Sequence, residues 1–449
     1  MGPKWSARGY AIAGSADPPK HIGVWVTEVG NMKIAVIGLG YVGLPLAVAL
    51  AKKFDVVGID IDAARIDELR DNRDRTGEID ADALGASSLA LSADPEAGHG
   101  AAIYIVTVPT PVDASNRPDL GAVEAATRTV AALVDPAKRP IIVYESTVYP
   151  GVTETICGGL LEEVGLVRGR DFKLGYSPER INPGDKVHTV DKIIKVIAGE
   201  DDEVVEILAE VYGAITSAGV FRAASIRAAE AAKVIENAQR DINVAFMNEV
   251  TQIMSKIGVS TWDVLDAAKT KWNFLGFEPG LVGGHCIGVD PFYLSHLAQS
   301  LGHHPQVILA GRETNDAMGG WIADQLHAHR GGKAGKALLM GLTFKENVPD
   351  LRNSRSIDLY HRLTELGHEV DIADPQVSDE DVVRQFGRAL SEPGDGCYDL
   401  VIAAVRHDAY AAMDRAALEA MLKPGGTLAD IKGMWRGNAL ATSVDYWTL

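Results

Sequence analysis

The sequence predicts an α/β protein in which two doubly wound sheets flank a helical segment. Three observations carry this. The glycine turn Gly38-Leu39-Gly40-Tyr41-Val42-Gly43 joins an apolar run at residues 33–37 to an Ala-rich helical stretch at 44–53. Residues 223–257 contain no Gly or Pro and repeat with a helical period. After the linker-like Gly331-Gly332-Lys333-Ala334-Gly335-Lys336, the alternation of strand and helix begins again.

Each part of the first unit has a task. The glycines permit a tight turn and close approach of backbone to a pyrophosphate, and the following helix turns its N-terminus toward the phosphates. A second strand, 55–59, leads to Asp60, twenty residues beyond Gly40. A carboxylate there accepts hydrogen bonds from ribose hydroxyls and repels a 2′-phosphate, so NAD is expected over NADP. A merely solvated strand-end acid does not explain that spacing. Runs at 103–108 and 141–144 are further strands, leaving into the polar loops Pro109-Thr110-Pro111 and Glu145-Ser146-Thr147 at the crevice. Strands at 172–176 and 193–198 continue a sheet expected over about 32–212.

In the long helix, Ile235, Ala238, Ile242, Ala245, Phe246, Ile253 and Ile257 recur at mostly three- and four-residue steps and are expected to form the buried face. Lys233, Asn237, Asp241 and Asn248 share another face, which ordinary solvation also explains. Such a length suits an interdomain spine or a dimer contact. Past the linker, a strand at 337–344, a helix at about 354–366 and strands at 369–372, 399–404 and 426–431 form the second sheet. It lacks the glycine fingerprint. Its first loop, from Lys345 to Arg352, carries two cations that suit a phosphorylated ligand other than the dinucleotide, surface salt-bridging being the alternative. The expected fold is thus two Rossmann-like doubly wound domains joined by a central helical domain with one long helix. The expected domains are 32–212, binding the dinucleotide; 213–330, helical and dimerising; and 331–449. Residues 1–31 are expected to be a disordered extension or start-site artefact, because Met32 directly precedes the first strand.

Composition narrows the class. At 449 residues, 47% apolar and 23% charged, the chain is an ordinary globular protein of two or three domains. A net charge of −18 argues against nucleic acid and against an anionic membrane surface. Cys157, Cys286 and Cys397 form neither a disulfide framework nor a CxxC metal pair, which suits the reducing cytoplasm; no metal is expected. No apolar stretch is long enough to span a membrane. Cys157 and Cys397 are expected to be inert.

Cys286 differs. It lies in Gly283-Gly284-His285-Cys286-Ile287-Gly288-Val289-Asp290-Pro291, four residues before an Asp-Pro pair that reads as N-cap and first position of a helix. A helix N-terminus favours thiolate over thiol, which makes Cys286 a candidate nucleophile. Taken alone, the motif equally describes a buried cysteine beside a tight turn.

These motifs, with Glu145-Ser146-Thr147-Val148, Ser177-Pro178-Glu179-Arg180 and the Lys233/Asn237 helix, resemble the UDP-glucose/GDP-mannose dehydrogenase family from Met32 nearly to the C-terminus. Ser177 to Asp185 and Pro279 to Cys286 are most similar to members that oxidise UDP-N-acetylhexosamines. The resemblance implies oxidation of a sugar C6 alcohol to the carboxylate with two NAD and one water. It implies that Cys286 forms a thiohemiacetal and then a thioester. Lys233 and Asn237 would hold the C6 oxygen, Asp290 would work with Lys233 on water or proton, and Thr147 and Glu179 would orient and activate the hydrolytic water. Implied cofactor contacts are Gly38, Gly40, Tyr41, Val42, Gly43, Asp60, Arg65, Pro109, Thr110 and Thr147. Implied substrate contacts are Glu179, Arg180, Lys233, Asn237, Gly283, Lys345 and Arg352. The implied partners are a UDP-sugar and a second copy of the chain, with a homodimer or higher homo-oligomer expected. Two departures stand out: Glu278 and Gly276 replace the usual Arg and Pro of this subgroup, and Pro183-Gly184 lies where a second acid often follows Glu179. UDP-glucose, UDP-N-acetylmannosamine and GDP-mannose are alternative substrates. A non-catalytic NAD-binding descendant has no need of the implied catalytic set, and a two-electron hydroxyacid dehydrogenase has no need of the thiol or the third domain.

Overall fold

The structure, a computed structural model, describes residues 32–180, 189–284, 287–437 and 444–449. The expectations for residues 1–31 and 181–185, and for His285 and Cys286, lie outside the described residues.

Short apolar runs make the first sheet: β1 (Lys33–Ile37), β2 (Asp55–Ile59), β3 (Ala90–Ser92), β4 (Ile103–Val106), β5 (Ile141–Tyr144), β6 (Lys173–Tyr176), β7 (Lys195–Gly199) and β8 (Val220–Arg222). Their order is β3-β2-β1-β4-β5-β6-β7-β8, parallel except where β7 runs against β6. The first six follow the dinucleotide-binding order, with its reversal between β1 and β4. Because Ile37 pairs with both Ile59 and Val106, the residues just beyond these strand ends, Gly38, Asp60 and Thr107, emerge side by side. Ile34, Val36, Ile105 and Val143 pack into one helical layer, and Ala35, Tyr104, Val106 and Tyr144 into the other, so both faces of the sheet are covered. The sheet runs past residue 212, since β8 pairs with β7. β3 and β8, three residues each, are too short to leave a period in the sequence.

The second sheet contains β9 (Lys336–Met340), β10 (Glu369–Ala373), β11 (Tyr398–Ala403), β12 (Leu422–Asp430) and β13 (Asp445–Thr448). Its order, β10-β9-β11-β12-β13, is wholly parallel and reverses between β9 and β11.

Between the sheets runs the helix Ile226–Ile257, capped by the Ser225 hydroxyl at Ala228 N–H and stopped by left-handed Gly258 at φ 68°. Its burial departs from the expectation: Ala238 and Ala245 are buried as expected and Ile242 is half-buried, but the other four are not buried. Ile235, Phe246, Ile253 and Ile257 are about half exposed or more, while Glu230, Lys233, Asn237, Asp241 and Asn248 are buried. The reason lies in the helix Gln306–His329, which presents polar groups to this face. Arg312 Nη1 donates to Asp241 Oδ1 at 2.5 Å, and Asn315 Nδ2 donates to the same oxygen at 2.7 Å. Asn315 Oδ1 accepts from Asn248 Nδ2 at 2.8 Å. Asp316, one turn beyond Arg312, pairs with both Arg312 and Arg355, the latter beyond the 344–353 loop of the second sheet.

Arg312 is 2% exposed and Asp241 wholly buried. Replacing Arg312 with Met should therefore destabilise the protein by about 3–5 kcal/mol, because it leaves a buried carboxylate uncompensated. The shift of the urea midpoint measures it.

Candidate active site

The glycine turn is closed behind and open in front. A methyl group on Gly43 would overlap the Gly38 carbonyl oxygen and Thr107 Oγ1, whereas nothing stands within 4 Å of a Cβ placed on Gly40. Gly38 is left-handed at φ 96°, and Thr107 Oγ1 donates to the Ile37 and Gly38 carbonyls at 3.0 and 2.7 Å. The Asp60 carboxylate accepts from Leu39 N–H at 2.7 Å and Asp62 N–H at 2.9 Å, so it helps hold the turn as well as facing the crevice. This shape fits a pyrophosphate against backbone, with a carboxylate at the ribose position. Arg65 lies buried beneath it, donating to Leu39 O at 3.0 Å and pairing with Asp74 at 2.6 Å. Across the crevice, the Pro109-Thr110-Pro111 loop is tied to the central region by Tyr293 OH, which donates to Pro111 O at 3.2 Å.

Lys233, Asn237 and Asp290 come together. Asn237 Nδ2 donates to Asp290 Oδ2 at 2.5 Å, and Val234, Val289 and Tyr293 pack as an apolar cluster at the same junction. Asp290 is not the N-cap that the sequence suggested: Val289 takes that place, and Asp290 opens the helix Asp290–Ser300 with its carboxylate turned to Asn237. Burial pushes Asp290 up to about 6, against the lowering pull of Lys233 and the Asn237 amide. A carboxylate poised there can exchange protons near neutrality.

The loops bearing Thr147 and Glu179 are fastened to this same stretch of helix. Glu230, one turn before Lys233, accepts from Gly151 N–H at 2.6 Å and Thr153 N–H at 2.9 Å, which anchors the loop after β5. Thr147 lies half-buried in that loop. Arg180 pairs with Glu236 at 2.8 Å, one turn after Lys233. Glu179 is buried, and its Oε2 accepts from Lys195 Nζ at 3.1 Å. The Tyr176 phenol, buried between these groups, is raised well above the usual tyrosine value by burial and then by Glu230, Asp290 and Glu145.

Gly283 and Gly284 press against the second sheet's first loop. A side chain on Gly283 would collide with Asn353 O, and one on left-handed Gly284 would lie 2.6 Å from the Phe344 ring. Arg352 in that loop forks onto Asp350 at 2.7–3.2 Å, and its guanidinium stands 5.3 Å over the ring of Tyr41 in the glycine turn. Lys345 lies in the same loop, its carbonyl accepting from Thr343 Oγ1. Gly280 is gripped on both sides by Asn248, which accepts from its N–H at 2.8 Å and donates to its C=O at 3.0 Å. Glu278 pairs with Lys269 at 2.8 Å at the surface. Cys157 is buried and pushed up to about 12 by burial, the protonated state of an inert thiol.

Family models match the chain in three consecutive parts of the UDP-glucose/GDP-mannose dehydrogenase family: the NAD binding domain at residues 32–216, the central domain at 227–317 and the UDP binding domain at 338–437. The chain belongs to this family. It is an NAD-dependent nucleotide-sugar dehydrogenase with a UDP-sugar-binding third part. The UDP-N-acetyl-D-glucosamine 6-dehydrogenase of Pseudomonas aeruginosa is 48% identical over 412 residues, covering 90% of this chain and 97% of that protein. Protein CapL of Staphylococcus aureus is 47% identical over 426 residues, covering 93% of this chain and 100% of that protein. Among solved structures, the UDP-D-ManNAc dehydrogenase of Pyrococcus horikoshii matches with a TM-score of 0.81 at 26% identity, covering 93% of this chain and 99% of that one. A UDP-glucose dehydrogenase of Pyrobaculum islandicum matches with a TM-score of 0.80 at 27% identity, covering 95% and 99%.

Sequence reasoning did not single out Lys195, Glu230, Thr107 or Arg312. Lys195 had a signal: a lysine inside the β-branched run Ile193-Ile194-Lys195-Val196-Ile197 is costly unless paired. Thr107 and Arg312 had none.

If Asp290 acts as a base, it must be ionised, so the rate of the first hydride transfer should rise with pH through about 6 and level off above. Asp290→Asn should remove that limb and lower the rate by about 10²- to 10⁴-fold, read by stopped-flow NADH absorbance. The same raised value means that Asp290's contribution to folding stability is present below about 3.9, its unfolded value, and is lost as pH rises through about 6.

Proposed function

We propose that this dehydrogenase oxidises the C6 alcohol of a UDP-N-acetylhexosamine, of gluco or galacto configuration, to the uronate that surface polysaccharides incorporate. The observation that carries it is the buried meeting of Lys233, Asn237 and Asp290, the last of them four positions after Cys286 in the sequence. The sugar is supported by two relatives, at 48% and 45% identity, that are named for UDP-N-acetyl-D-glucosamine.

The residues divide the work as follows. Gly38, Gly40, Tyr41, Val42 and Gly43 receive the pyrophosphate of NAD, Asp60 takes the ribose, and Pro109, Thr110 and Thr147 line the nicotinamide side. Arg65 serves from below, by holding Leu39. NAD, when bound, accepts the hydride at each of the two oxidations. Lys345 and Arg352 hold the diphosphate of the sugar nucleotide, with Arg180 and the backbone at Gly283 completing the pocket. Lys233 and Asn237 fix the C6 oxygen and stabilise the charge that grows on it, while Asp290 takes its proton. Cys286 then adds to the aldehyde carbon, and loss of the second hydride leaves a thioester. Thr147 and Glu179 orient and deprotonate the water that releases the carboxylate. A cytoplasmic location suits a reaction fed by NAD and nucleotide sugars, and among the described residues no helix is long and apolar enough to cross a membrane.

A panel of nucleotide sugars tests the reading. UDP-N-acetylglucosamine or its C4 epimer should yield two NADH per sugar, and faster turnover of UDP-glucose or GDP-mannose would overturn the sugar assignment. Cys286→Ser should cut steady turnover on the order of 10³-fold or more while NAD binding persists. A serine variant that still makes two NADH per sugar at the ordinary rate would remove Cys286 from the mechanism.

The protein acts as a homodimer. Ile235, Phe246, Ile253 and Ile257 form an exposed apolar stripe opposite the buried polar face, and a second copy of the same helix can cover it. Phe246→Asp should shift the sedimentation coefficient from dimer to monomer at micromolar concentration.

A further inference from the structure

Four side chains from four elements converge at the carboxyl edge of the first sheet. Glu145 leaves β5, Glu179 lies in the loop after β6, Lys195 opens β7 and Tyr212 comes from the helix Asp202–Gly213. All four are buried, Lys195 and Tyr212 completely. Lys195 Nζ donates to Glu145 Oε2 at 3.0 Å and to Glu179 Oε2 at 3.1 Å, and sits 5.3 Å from the centre of the Tyr212 ring. Tyr212 OH donates to Glu145 Oε1 at 2.5 Å. Arg180 N–H donates to the other Glu179 oxygen at 2.5 Å.

A buried cation is costly unless paired, and one ammonium cannot neutralise two carboxylates. The surplus is relieved at Glu145, which burial and the Glu179 charge push up to about 7 against Lys195 and Tyr212. Burial would discharge Lys195, yet the two carboxylates outweigh it and hold its value above the ordinary lysine range. With Glu145 protonated, the ammonium belongs to Glu179. Among the described residues, Arg180, next to Glu179, pairs with Glu236 on the long-helix side at 2.8 Å.

We propose that Lys195, backed by Glu145 and Tyr212, is the positioning residue that keeps Glu179 oriented for hydrolysis of the acyl-enzyme. The inference rests on the role given to Glu179 above. In the step concerned, water adds to the acyl carbon and gives one proton to Glu179. The C–S bond breaks with its electron pair on sulfur, and the departing thiolate takes the proton of the carboxylic acid formed. Lys195 touches neither substrate nor water; it acts through Glu179.

Lys195→Met removes the charge at similar length. In a rapid-mixing experiment with NAD and the turned-over UDP-sugar, it should give a full burst of two NADH per site, then a steady rate lower by about 10- to 100-fold. An acyl adduct should be visible by mass, and both KM values should stay within about twofold. Tyr212→Phe removes only the hydroxyl that donates to Glu145 and should lower the steady rate by about 2- to 10-fold while the burst of two NADH stays intact. That split between burst and steady rate also decides the matter if the methionine variant does not fold. A wild-type steady rate in Lys195→Met overturns the proposal, as does equal loss of burst and steady rate, the mark of a purely structural bracket. An unchanged steady rate in Tyr212→Phe overturns it too. Glu179→Gln separates the layers. If it leaves hydrolysis unchanged, the role of Glu179 itself falls; if it accumulates acyl-enzyme while Lys195→Met does not, only the present proposal falls.

Discussion

A helix that buries its polar face is the constraint on which the rest of this molecule depends. Glu230, Lys233, Asn237, Asp241 and Asn248 follow one another at helical spacing, and each needs a partner once water is excluded. The partners come from every part of the chain. Glu230 anchors the loop after β5, and Asn237 meets Asp290. Asp241 meets Arg312, and Asn248 grips Gly280. Satisfying the stripe is therefore the same event as assembling the site. A protein held together by an apolar spine would not have tied its folding to its chemistry in this way.

The cofactor turn was legible in the sequence because its parts are local and its function lies in the backbone. Gly38, Gly43 and Asp60 fall within one strand–helix–strand unit, and their spacing alone sets the geometry. The orientation of the long helix was not legible. A period of 3.6 separates two faces but does not say which one meets the protein, and the deciding groups, Arg312 and Asn315, lie some seventy residues onward. Lys195 was hidden for a related reason: its partners are 50 and 16 positions away, joined to it only by the order of the sheet. The local motif of Asp290 pointed to a cap and the family resemblance to work beside Lys233; its contact with Asn237, fifty-three residues distant, takes it away from the cap.

The acids of the site are sorted by surroundings rather than by type. Asp290 and Glu145 are both raised by burial, the first beside Lys233 and the second beside Lys195. Each thus has a lysine neighbour, yet the two lysines differ in setting: Lys233 is on the long helix, and Lys195 is sealed inside the sheet edge. Two carboxylates raised in separate environments can be tuned independently of each other.

The close packing of Gly283 and Gly284 against Asn353 and Phe344 bears on how such enzymes can diversify. Gly283 and Gly284 are continuous in sequence with the central helices, but their packing is set by a loop some seventy residues away. The third domain is consequently not an interchangeable module. A chimaera that borrows it from a relative with another sugar preference must import residues 279–289 as well, or the borrowed loop will meet a turn shaped for a different neighbour. Changes of substrate in such a lineage are then expected to arrive as paired substitutions across this seam.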